Sequence, residues 1–100
     1  DATDSVFMHL FKHLEKNDNQ ILELLQSENN ELFLKYFKSE LLTLVDSQLD
    51  DIIKENHKNL PREFLVNHIA STFVETAKWW AGNKCQPSAE KITNYFLSVI

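Results

Sequence analysis

The sequence predicts an all-α fold, on three observations. Turn-makers are scarce, with 1 Gly and 2 Pro in 100 residues, too few for the many tight turns of a sandwich or barrel. Apolar residues recur at three- and four-residue intervals, the spacing of one helical face. Polar breaks rich in Asn and Ser divide those runs into about five helices. With 43% apolar content, a chain of this length can bury one core, so a single domain spanning residues 1–100 is expected.

Val6, Phe7, Leu10, Phe11 and Leu14 share a face, and Thr3 or Asp4 offers an N-cap, giving a first helix from about Thr3 to Lys16. Asn17-Asp18-Asn19-Gln20 competes with the backbone for hydrogen bonds and caps a short second helix through Ile21, Leu22, Leu24 and Leu25, ending near Gln26. After Ser27-Glu28-Asn29-Asn30, the residues Phe33, Phe37, Leu41, Leu44, Val45, Leu49, Ile52 and Ile53 keep helical register in a long third helix. The pairs Glu31 with Lys35 and Asp50 with Lys54 add roughly a few tenths of a kcal/mol each, so core burial must hold it.

Pro61 suits a first helical turn and disfavours helix at Leu60, which starts a fourth helix running from about Pro61 to Asn83. Val66, Ala70, Phe73, Ala77 and Trp80 line one of its faces, while Leu65, Ile69, Thr72, Thr76 and Trp79 line a neighbouring one. Such width implies burial on two sides. Gly82-Asn83 offers left-handed cap residues and Pro87 blocks continuation. Ser88 with Glu90 opens a fifth helix, Ser88 to Ile100, bearing Ile92, Phe96, Val99 and Ile100.

Net charge is −5, and it is uneven: residues 1–60 hold 12 acids against 6 Lys, whereas residues 61–100 hold 3 acids against 4 bases. No window clusters Lys and Arg as a phosphate-binding surface requires, so these residues alone should not bind DNA. The charge-poor last 40 residues fit a surface buried against a partner, or a plain buried core. Phe64 to Val74, the longest uncharged stretch, has 11 residues and is too short and polar for a bilayer. A single cysteine, Cys85, and a polar, acidic start without a signal-peptide pattern point to the cytoplasm. The missing initiator Met suggests a fragment.

Catalytic chemistry has no anchor: there is no Gly-rich phosphate loop, paired-Cys zinc motif or nucleophile elbow. His9 and His13 stand i,i+4 on one face, but an H-E-x-x-H core needs Glu at position 10, where Leu10 stands, so they read as surface or half-buried residues and no metal is assigned. No cofactor is expected.

His68, Thr72 and Thr76 rise along the fourth helix at i,i+4 steps among apolar neighbours. Small-molecule pockets combine apolar walls with a few convergent polar groups, so these three are candidate pocket-lining residues, unless the hydroxyls bond back to the preceding turn and His68 is satisfied in the core. Met8, Phe11, Phe37 and Leu41, with Tyr36, are core or the walls of that pocket. Trp79 and Trp80 are adjacent and point about 100° apart, so one of them should meet a second surface: a partner chain or the rim of the last helix. Cys85 lies in a turn beside Lys84 and is given no role.

Phe73-Val74-Glu75-Thr76-Ala77-Lys78-Trp79-Trp80, the Gly-Asn turn and Pro87-Ser88-Ala89-Glu90-Lys91-Ile92 resemble the carboxy-terminal signature of tetracycline-repressor-like (TetR-like) transcription regulators. Ile21-Leu22-Glu23-Leu24-Leu25-Gln26-Ser27 before a long helix is similar to the same group, so the likeness spans essentially the whole chain. It implies the effector-sensing and dimerisation part of a repressor. Such a body binds a small apolar effector, pairs as a homodimer, and reaches DNA only through an amino-terminal helix-turn-helix that these residues do not include. In such families the last two long helices form a four-helix bundle across the dimer, here Pro61 to Asn83 and Ser88 to Ile100. That places Phe73, Trp79, Trp80, Phe96 and Ile100 at the interface. A subgroup acts as coactivators by contacting another protein, so a helical adaptor without ligand or DNA binding stays open as the alternative.

Overall fold

The computed structural model describes residues 4–16, 20–53 and 57–100. Five helices follow one another: α1 (Asp4–Lys16), α2 (Gln20–Gln26), α3 (Glu31–Ile52), α4 (Arg62–Gly82) and α5 (Ala89–Val99). Among the described residues there is no strand. Helix α4 is the hub, packed by α2, α3 and α5, while α1 lies along α5.

The core is one contiguous apolar cluster drawing on every helix. At its centre Phe7 and Phe11 of α1, Phe73 and Trp80 of α4, and Phe96 of α5 have 0% exposure. The Phe11 ring lies 4.6 Å from Phe73, 5.6 Å from Trp80 and 6.1 Å from Phe96 between centroids. These separations lie within the range of favourable tilted and edge-to-face pairs, worth about 0.5–1.5 kcal/mol each beyond area burial. Phe37 carries the cluster into α3 through Phe73, at 6.5 Å.

The helix ends show how the chain turns. The Asn30 side chain does not cap α3; its Nδ2 instead donates to the carbonyls of Leu24 (3.0 Å) and Leu25 (3.2 Å), satisfying orphan acceptors at the end of α2. The expected caps at Thr3 and Asn17–Asn19, and the Lys54 partner of Asp50, lie outside the described residues. Asp50 does accept from Arg62 Nη1 at 3.4 Å, while Arg62 Nε and Nη2 donate to Asp46 Oδ1 (2.8 Å) and Asp46 O (2.7 Å). Arg62 thereby orients the first turn of α4 against α3. Ser88 caps α5 as expected, its Oγ accepting from the Lys91 amide at 3.3 Å.

The end of α4 differs from the expected Gly82-Asn83 cap. Gly82 lies inside the last helical turn, and the left-handed residues are Lys84 (φ 56°) and Cys85 (φ 58°). Backbone amides of Asn83, Lys84 and Cys85 reach back to Trp79, Trp80 and Ala81 carbonyls at 2.9–3.1 Å, and these bonds offset the left-handed cost of roughly 1–2 kcal/mol per residue. A Cβ on Gly82 would meet only Gln26 Nε2, at 3.4 Å, an ordinary contact. Gly82→Ala should therefore hold stability or raise it by up to about 1 kcal/mol on helix propensity. Lys84→Gly should raise it as well, by relieving the left-handed backbone. Thermal denaturation checks both, and a fall in Tm for Gly82→Ala would place the left-handed cap at Gly82 after all.

Candidate partner-binding face on helices four and five

Successive residues advance about 100° around a helix, and α4 uses this to present a buried apolar face and a mixed outer one. Its inner face, with Leu65, Val66, Ile69, Ala70, Phe73, Val74, Ala77, Trp80 and Ala81, is buried. Phe64, His68, Thr72, Glu75, Thr76 and Trp79 fall within about 120° of one another on the outer side. Phe64 is 58% exposed and stacks on the exposed His68, with planes 5° apart and centroids at 6.3 Å. Trp79 is 52% exposed.

Helix α5 continues this surface. Tyr95 and Val99 are 51% and 64% exposed and stand one turn apart. Between the helices runs an open groove of about 380 Å³ lined by Glu75, Thr76, Trp79, Ile92, Tyr95, Phe96 and Val99. Glu75 is its one charged lining residue, and Lys78 Nζ lies 3.7 Å from Glu75 Oε1. The groove is thus an apolar trough with a nearly neutral edge.

The residues expected to line a pocket do not gather around this groove. Phe11 (0%) and Leu41 (3%) are buried in the core, Met8 is half-buried, and Phe37 is half-buried and stacked on Phe33 with centroids at 5.6 Å. Thr72 Oγ1 donates to His68 O and Thr76 Oγ1 to Thr72 O, each at 2.7 Å, so both hydroxyls are satisfied within their own helix. His68 points to solvent instead of into the core. Of the seven, Thr76 alone lines the groove. Among the described residues no buried side-chain polar atom lacks a hydrogen-bond partner.

The residues expected at a dimer interface also divide. Phe73, Trp80 and Phe96 have 0% exposure and Ile100 8%, because the aromatic core has already claimed them. Trp80 also donates Nε1–H to Pro87 O at 2.7 Å, tying α4 to the turn before α5. Trp79 is the tryptophan left outside, as the 100° step requires, and Phe96 reaches the groove only as its floor. Phe64, Tyr95 and Val99, exposed on this side, were not among the residues expected there; Tyr95 and Val99 are spaced i,i+4 beside Ile92 and Phe96.

A second, polar groove of about 350 Å³ lies where α1, α2 and the end of α4 meet, lined by Glu15, Leu22, Glu23, Gln26, Ala81, Lys84 and Cys85. Burial, and then the nearby Glu15 carboxylate, push the Cys85 thiol above its ordinary pKa. A raised pKa leaves less thiolate, the reactive form, at any pH below it. Cys85 should therefore alkylate with iodoacetamide more slowly than the same residue in the urea-unfolded chain. Equal rates would contradict this placement.

Among the described residues no helix is long and apolar enough to cross a membrane, and no group of three or more His, Cys, Asp or Glu could hold a metal ion. No curated protein and no solved structure matches the chain. The family profile for the TetR-type transcriptional regulator C-terminal region matches residues 1–100. An all-helical body with a hub helix exposed along one side, matched from end to end by that profile, belongs to the TetR-like transcriptional regulators as their carboxy-terminal region.

Proposed function

We propose that this chain is the dimerisation and effector-responsive body of a TetR-like repressor, and that it pairs with a second copy through the outer face of α4 and α5. The observation that carries the reading is the apolar trough between these helices, flanked by the half-exposed Trp79, Tyr95 and Val99 and continued along α4 by Phe64. Trp79, Tyr95 and Val99, large apolar side chains beside one groove, form a patch that water solvates poorly. A second copy suits it because a two-fold contact sets the same patch against itself. The Glu75–Lys78 pair gives that patch both signs of charge, so self-pairing does not force like charges together.

Effector response follows from the two faces of α4. Where α1, α3 and α4 meet, Phe11 and Phe73 are buried and the half-buried Phe37 has its ring 6.5 Å from Phe73. An apolar effector enters by parting the Phe37–Phe73 contact, which shifts α4 and with it the dimer face. DNA binding then changes in a helix-turn-helix outside these residues.

Sedimentation equilibrium tests the pairing: the wild-type chain should dimerise at micromolar concentration, burying about 1,200 Å² or more. Trp79→Glu should weaken the dimer by about 2 kcal/mol or more, roughly thirtyfold, with an unchanged circular dichroism spectrum. A wild-type monomer at every concentration would contradict the pairing and favour the adaptor reading, in which the same face takes a different protein.

A further inference from the structure

His9 and His13 are both exposed on α1, within a stretch whose opposite side is locked into the core through Phe7 and Phe11 at 0% exposure and Leu14 at 4%. Four residues advance a helix by about 6 Å along its axis and only about 40° around it, so the two imidazoles rise from the same side. Their Cβ atoms then lie about 5–6 Å apart. Two ring nitrogens each about 2.0–2.1 Å from a shared ion fit across that span. Core packing fixes the backbone between them, so little ordering is left to be done on binding.

We propose that His9 and His13 form a two-imidazole site for a late first-row divalent metal ion, of the Ni²⁺, Cu²⁺ and Zn²⁺ class. Imidazole suits these ions, whereas Mg²⁺ and Ca²⁺ take oxygen ligands, and none is supplied by Lys12 and Lys16, the exposed residues three positions beyond each histidine. Leu10 stands where a zinc-hydrolase helix carries its glutamate, so the site binds without a built-in general base. Among the described residues no third His, Cys, Asp or Glu completes the set, and water fills the remaining positions. Bound across one turn, the ion clamps the middle of α1 and stabilises the folded body by linkage. This site does not depend on the pairing of α4 and α5.

Titrating NiCl₂ alone into the chain near neutral pH, by calorimetry and by thermal denaturation, tests the site. One ion per chain should bind saturably and raise Tm, with Cu²⁺ tighter and Zn²⁺ no tighter than Cu²⁺. H9Q and H13Q should each weaken binding about tenfold or more, while H57Q and H68Q leave it unchanged. In H13Q/K16H two exposed imidazoles remain, but about 10.5 Å apart along the helix, and tight binding should be lost although composition and fold are kept. No saturable binding up to millimolar Ni²⁺, or binding that survives in an H9Q/H13Q double variant, would overturn the proposal.

Discussion

Phe73 is the side chain on which the arrangement of the other helices depends. From the middle of α4 it meets Phe11 of α1 at 4.6 Å, Phe96 of α5 at 5.5 Å and Phe37 of α3 at 6.5 Å between ring centroids. One residue thus sets the position of three other helices. Truncating a buried Phe typically costs about 3–5 kcal/mol, against a total stability of about 5–15 kcal/mol for a domain of this size. Surface interactions are weaker guides: the Arg62 bonds to Asp46 and Asp50 are solvent-exposed, so they orient the start of α4 more than they hold it.

The same helix turns a second side outward, and the division of labour follows from angular geometry. Trp80 and Trp79 are one residue apart, yet one is sealed in the core with its N–H on Pro87 O and the other is half in water. The outer hydroxyls, Thr72 and Thr76, are satisfied by carbonyls of their own helix, so a partner can cover that face without stranding them. If the proposed pairing holds, a helix with its core on one side and the partner on the other converts a change in packing into a change in assembly.

The helices were legible because their periodicity and polar breaks agreed: α1, α3 and α5 lie within a few residues of the expected spans. The exposed outer side of α4 and α5 was legible only in part. Width of the apolar stripe on α4 announced two buried sides, but neither periodicity nor the bundle implied by the resemblance says which side the other helices take, so Phe73, Trp80 and Phe96, expected at the interface, lie in the core instead. The polar line of His68, Thr72 and Thr76 looked like a pocket because a sequence does not show where hydroxyl protons go. The α4 cap was misplaced by two residues because Gly82 is permissive of a left-handed turn without requiring one, while the bonds to Trp79, Trp80 and Ala81 that favour Lys84 and Cys85 depend on the chain path.

The central claim is that adjacent residues on α4 inhabit a dry core and a wet outer face, the one proposed to take a second copy. Acrylamide quenching of tryptophan emission in the Trp79→Phe variant reads the core alone, since Trp80 is then the single indole left. The account predicts blue-shifted emission from Trp80 that acrylamide barely quenches at any protein concentration, together with a readily quenched component in the dilute wild type that becomes protected as the chain is concentrated. Quenching of Trp80 as strong as that of free tryptophan would show that α4 does not bury this face, and the account of core and partner surface would fall together.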